Sequence, residues 1–128
     1  MGGPLEQATR QLFDCIDRKD GEAIISAGAK DMQAVDEISR RWMRGIDDFA
    51  AYVRQLMKMV EDVHTTLSDV HETVRGDIGL AACWIEQDYT LEGKPQHVSA
   101  PTTLAFQRES SAWKILLLHT VPLPPEES

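Results

Sequence analysis

The chain has 128 residues, 42% of them hydrophobic and 27% charged, which is enough for one compact domain with a real core and too apolar for a disordered chain. Its 21 acidic against 13 basic residues leave a formal charge of -8, which excludes nucleic acid and anionic membrane as main partners, since both need a basic footprint. The opening Met1-Gly2-Gly3-Pro4 lacks a secretory pattern, Glu6 stands where a myristoylation signal needs Ser or Thr, and no run reaches the roughly 18 apolar residues of a membrane span.

Leu5, Ala8, Leu12, Phe13 and Ile16 recur at helical spacing and predict a first helix over residues 5–18, with Pro4 suited to its start. Asp20 is placed to cap a short second helix over residues 22–27, which Gly28 ends. Residues 32–38 alternate weakly and predict a short strand. Ile46, Phe49, Ala50, Val53, Leu56, Met57 and Val60 form the stripe of a third helix beginning after Gly45. The period then changes from 3.6 to 2, and residues 63–75, 78–91, 98–108 and 113–121 read as strands rich in Thr, Val, Leu and aromatic residues. Their short links, at residues 76–77, 92–95 and 109–112, make each junction a hairpin, so the four strands form an antiparallel meander. Three helices on one face of a long curved sheet predict an α+β cone, a single domain over residues 1–122 followed by an extended tail, 123–128, rich in proline and glutamate.

A register with a four-residue link at 109–112 and one bulge near Gly93 puts Trp84, Glu86, Leu104, Phe106, Ile115, Leu117 and His119 on one face, lining the interior of the cone. The opposite face then carries Ala81, Cys83, Ile85, Leu116 and Leu118. It is too apolar to face water and calls for a cover.

The order of helices and late meander, with the phrase Trp113-Lys114-Ile115-Leu116-Leu117-Leu118-His119, resembles the nuclear transport factor 2-like superfamily, in particular its SnoaL-like and ketosteroid-isomerase-like branch. The segments Gly45-Ile46-Asp47, Val63-His64-Thr65-Thr66 and Gly76-Asp77 resemble the association domain of calcium/calmodulin-dependent protein kinase II. The resemblance implies a cystatin-like roll, a cavity for a small molecule and a homodimer joined through the outer sheet face. The arginines that hub-type members present inside the cone are replaced here by Glu86 and Leu104, and the acid, Tyr and protonated Asp set of ketosteroid isomerases has no residue-by-residue match.

On this register Glu86 points into an apolar interior, where desolvation raises a carboxyl pKa, and His119 lies at the mouth as its partner. The pair suits isomerase-like or cyclase-like proton transfer beside a carbonyl. It equally suits ligand contact without chemistry, or a structural hydrogen bond to each other or to Arg108. Trp84, Leu104, Phe106, Ile115 and Leu117 would contact the ligand, and Tyr52 on the third helix is a further candidate; Tyr89, of opposite parity to Glu86, reads as outward-facing. Trp42 with Arg40, Arg41 and Arg44 is either a phosphate-stacking patch or a solvated basic edge. His64 and His71 fall on opposite faces, and no histidine pair has ligand spacing, so neither a metal nor another cofactor is expected. Cys15 and Cys83 lack redox spacing and read as packed thiols of a cytoplasmic protein. The expected partners are a small apolar or carbonyl-containing molecule and the chain itself; the alternative function is a non-catalytic association module forming dimers or rings.

Overall fold

A computed structural model describes residues 2–124. The elements in chain order are α1 (Pro4–Asp17), α2 (Gly21–Ser26), β1 (Gly28–Asp36), β2 (Met43–Arg44), α3 (Ile46–Met59), β3 (Val60–Arg75), β4 (Ile78–Leu91), β5 (Lys94–Glu109) and β6 (Ala112–Thr120). The α+β prediction with three helices before a meander holds. The Asp20 carboxylate accepts the amide of Ala23 at 3.2 Å and starts α2. Asp47 and Asp48 in the first turn of α3 and Lys58 in its last suit the helix dipole. Gly28 does not end α2 but opens β1, four residues earlier than the alternation indicated. Val121 to Pro124 leave the sheet, and the rest of the expected extended tail lies outside the described residues.

The six strands are ordered β2-β1-β6-β5-β4-β3. All neighbours are antiparallel except β1 and β6, which run parallel, so the sheet is mixed rather than a pure meander. Helices cover one face. Leu5, Leu12 and Phe13 of α1 and Phe49 and Val53 of α3 pack on Ala81, Cys83, Ile85, Ala100, Leu104 and Phe106 in one continuous core.

Which side chains share that core corrects the predicted register twice. The link between β4 and β5 is a two-residue turn, Glu92-Gly93, with φ of 50° and 84°. Leu91 pairs with Lys94, and the ladder runs unbroken back to Ile78 opposite Gln107, without the expected bulge. Leu104 therefore faces Ala81, not Trp84. That is an odd slip, which turns every side chain of β4 to the other face. Ala81, Cys83 and Ile85 are buried under the helices, whereas Trp84 and Glu86 lie on the convex face.

The second correction is a bulge between β5 and β6. Phe106 pairs with Ile115 as expected, but Ala105 pairs with Leu117, leaving Leu116 as the extra residue. Beyond it Leu118 pairs with Leu104 and Thr120 with Thr102 inside, while Leu117 and His119 turn outward. Two further bulges in β3, next to Asp62 and Asp69 at φ of 54° and 53°, bend the strand along the helices. They also put both His64 and His71 in solvent, not on opposite sides as a regular strand would.

α1 approaches the sheet at Gly79, where a Cβ would lie 2.3 Å from Leu5 Cδ1. Because Leu5 is fully buried, glycine is what allows the contact. The corrected register predicts that Ile85→Ala lowers unfolding free energy by about 2–5 kcal/mol in urea titrations. Glu86→Ala should stay within about 0.5 kcal/mol. The reverse ranking would restore the register expected from sequence.

Candidate functional site

The site is made by the way β1 ends. Asp36 Oδ1 accepts the amides of Ile38 at 3.0 Å and Ser39 at 2.7 Å, and the amide of Asp36 donates to Ser39 Oγ at 3.0 Å. This side-chain turn stops the strand and swings Asp36, Glu37 and Ile38 over the open end of the cone. The third helix supplies Tyr52 and the fourth strand supplies Tyr89, one inward position beyond Gln87.

These residues close one end of a cavity of about 70 Å³ between the helices and the concave face. Its body is apolar, walled by residues such as Phe13, Ile24, Phe49, Val53 and Ile85, with the thioether of Met57 at the helix side. Its polar end holds two carboxylate and phenol pairs. Tyr52 Oη donates to Asp36, at 2.8 Å from Oδ1 and 2.9 Å from Oδ2, and Tyr89 Oη donates to Glu37 Oε1 at 3.2 Å.

The electrostatics follow from burial and like charge. Desolvation pushes the Glu37 pKa above the usual glutamate range and the neighbouring Asp36 adds to the rise; the bonds to its own backbone and to Tyr89 only partly oppose it. Burial, and then the adjacent carboxylates, push both phenols upward, so Tyr52 and Tyr89 remain neutral donors. Glu37 is thus a carboxyl that holds its proton to higher pH than an ordinary glutamate, set beside an apolar space. Gln87 on the same wall is held by Thr65, whose hydroxyl and amide are in turn fixed by Asp17 at 2.7 and 3.0 Å.

Of the residues singled out from sequence, Tyr52 lines this cavity and the others do not. Leu104, Phe106 and Ile115 are buried core. Trp84 is on the convex face, its indole donating to Ser99 Oγ at 2.8 Å, and Leu117 is half-buried there beside Gln33. Glu86 and His119 do not meet: Glu86 pairs across to Ser99 and His119 to Thr103, four residues further along β5. The Glu86 side chain is 47% exposed and lies 3.8 Å from His97, whose other nitrogen contacts Asp88 at 2.8 Å. Those two acids keep His97 protonated to higher pH, with Asp88 the stronger influence. The His119 ring instead faces Trp42, with centroids 6.0 Å apart. Trp42 also carries the Arg44 guanidinium over its face, whereas Arg41 is paired with Asp48.

Asp36, Glu37 and Tyr89 were missed from sequence for separate reasons. Residues 32–38 read as an uninterrupted strand, although Asp36 with Ser39 three residues on is a turn signature that could have ended it. Tyr89 was turned outward by the inverted face of β4. Among the described residues no group of His, Cys, Asp and Glu could hold a metal ion. Burial pushes the Cys83 thiol up to about 11, which leaves it un-ionised and inert. Two wider clefts, of about 260 Å³ along α1 and β3 and about 200 Å³ beneath α1 and α2, lie outside this arrangement. In the first Asp17 is committed to Thr65, and in the second Lys114 is bound to the Ser26 carbonyl at 2.6 Å. No helix is long and apolar enough to cross a membrane among the described residues.

Solved structures share this fold at low identity. A dehydratase candidate of the nuclear transport factor 2-like family from Streptomyces avermitilis superposes with a TM-score of 0.86 at 20% identity, covering 95% of this chain and 96% of that one. A ketosteroid isomerase-like protein from Erwinia carotovora gives 0.81 at 17%, covering 95% of each chain. A candidate calcium/calmodulin-dependent protein kinase II association domain from Xanthomonas campestris gives 0.82 at 13%, covering 94% of this chain and 86% of that one. A nuclear transport factor 2-like protein from Novosphingobium aromaticivorans, also similar with a TM-score of 0.76 at 18% over 96% of this chain and 82% of that one, is described as having a cystatin-like fold. No curated protein matches this chain. The model of the SnoaL-like domain matches residues 5–122, and the chain therefore belongs to the SnoaL-like family.

Proposed function

We propose that the cavity binds a small, mostly apolar molecule and that Glu37 moves a proton on it, in chemistry of the isomerase or cyclase type. The observation that carries this reading is a partly desolvated carboxyl at the wall of an apolar space, with a neutral phenol bonded to it. In such a reaction the Glu37 carboxylate takes a proton from carbon beside a carbonyl. Tyr89, the more loosely held phenol, turns its hydroxyl to the oxygen on which charge develops, and Glu37 then returns the proton to another carbon. Tyr52 and Asp36, tied by three donors, hold the wall in place. The roles expected of Glu86 and His119 pass to Glu37 and Tyr89. A cavity of about 70 Å³ is smaller than the roughly 150 Å³ that holds benzene. A ring-sized substrate must therefore displace the adaptable Met57 side chain as it enters.

A second reading, self-association through the convex face, is favoured by what that face exposes. Ile78 and Leu80 are 48% and 46% exposed, and Ala82, Trp84, Ala105 and Leu117 extend the patch across β4, β5 and β6. We propose a homodimer joined there, by a surface different in composition from the one expected from sequence. It is compatible with either a working cavity or a purely associative role.

Glu37→Gln keeps an acceptor for Tyr89 but no titrating proton, and should lower turnover of any carbonyl substrate found by screening by at least about 100-fold. Retained turnover removes Glu37 from the chemistry. The same variant has a sign-definite effect on stability. Because the folded carboxyl has the higher pKa, the wild type loses stability as pH rises from the unfolded value of about 4.3 through the folded one. Glu37→Gln should therefore melt higher than wild type at pH 8 and at the same temperature near pH 3, measured by differential scanning calorimetry. In light scattering the wild type should have twice the mass of a Leu80→Glu variant with unchanged circular dichroism; equal masses would contradict the convex-face dimer.

A further inference from the structure

The polar end of the cavity is one-sided in charge and in hydrogen-bonding capacity. Asp36 and Glu37 are the charged residues of the lining, and no Lys, Arg or His is among them. Cations on the surrounding elements are engaged away from the cavity: Arg41 with Asp48, Arg54 with Glu22, and Lys19 with Glu61. Both phenol hydrogens point at the carboxylates, so what the polar end presents to a guest is mainly acceptor oxygen. The apolar walls add π-faces from Phe13, Phe49, Tyr52 and Tyr89.

We infer that the cavity takes a small apolar amine in its protonated form, the ammonium set against Asp36 and Glu37, in preference to a neutral or anionic compound of the same shape. This rests on the cavity being a ligand site. An ammonium offers three donors to an acceptor-rich end and relieves the repulsion between adjacent carboxylates. A neutral alcohol offers one donor and no charge. A carboxylate would bring a third negative group to a space that already desolvates Glu37. The -8 charge of the chain works in the same direction at longer range.

The test is a titration of methyl-labelled full-length protein with isobutylamine, isobutanol and isobutyrate at pH 7.5 and 0.15 M salt. Resonances of Ile85 and Met57 report the cavity, and the exposed Leu123, outside the convex-face patch, reports nonspecific attraction to the surface. The expected result is that isobutylamine shifts the cavity methyls at least about tenfold more tightly than isobutanol, that isobutyrate leaves them unmoved, and that Leu123 is silent. In Glu37→Gln the advantage of the amine over the alcohol should fall below about threefold. Isobutanol or isobutyrate binding as tightly as the amine, or an undiminished advantage in Glu37→Gln, would overturn the inference while leaving the cavity a ligand site. Silence of the cavity methyls toward all three compounds would overturn both.

Discussion

The turn at Glu92-Gly93 determines what each side of this sheet contains. Two residues at positive φ join β4 to β5 without a spare position, and so decide that Ala81, Cys83, Ile85 and Tyr89 lie beneath the helices rather than against solvent. Side chains alternate strictly along a strand, and any odd change in this turn would exchange the buried and exposed sets of β4 as a block. The helices leave no room for such an exchange. Glu86 and Asp88 would be driven into a core that also receives Leu12, Phe13 and Phe49, and two unpaired carboxylates there would cost several kcal/mol each. Tyr89 reaches Glu37 because of this parity. The polar end of the cavity is therefore a consequence of hairpin geometry as much as of the residues that form it.

A second local device completes it. Had β1 continued regularly past Asp36, Asp36 and Glu37 would have pointed to opposite sides of the sheet. The Asp36 side chain instead captures the amides of Ile38 and Ser39, the strand stops, and both carboxylates come to the same opening. A buried or half-buried carboxylate is destabilising unless it is bonded, and each of these has its own phenol. The similar solved structures share this frame, and a fold takes its function from the residues placed on it rather than from the frame. Two acids and two phenols beside an apolar body are what this chain places there.

Helix positions, hairpin order and the change of period after α3 were legible from residue spacing, because these signals are local and repeated many times along each element. The facing of the strands was not. It depends on whether a turn has two residues or carries a bulge, and on the single extra residue Leu116 in β6, neither of which leaves a periodic trace. The absence of a bulge near Gly93 turns Trp84 and Glu86 outward, and the bulge at Leu116 does the same for Leu117 and His119. Residue spacing leaves the facing of Tyr52 on the third helix open, and packing turns it to the cavity wall. Asp36 and Glu37 were hidden inside a weakly alternating stretch whose end is set by a side chain rather than by hydrophobicity.

The site depends on Glu37 being a desolvated carboxyl at the cavity wall. Its side-chain carbon can be followed directly by NMR in protein labelled with ¹³C at glutamate, with Glu37→Gln identifying the resonance, across pH 3 to 9. A midpoint displaced upward from the usual glutamate value of about 4.3, falling back toward it when Ile85→Asn opens the apolar wall to water, is the predicted result. A midpoint at or below that value in the wild type would mean that Glu37 is an ordinary solvated or ion-paired acid, and would contradict the site described above.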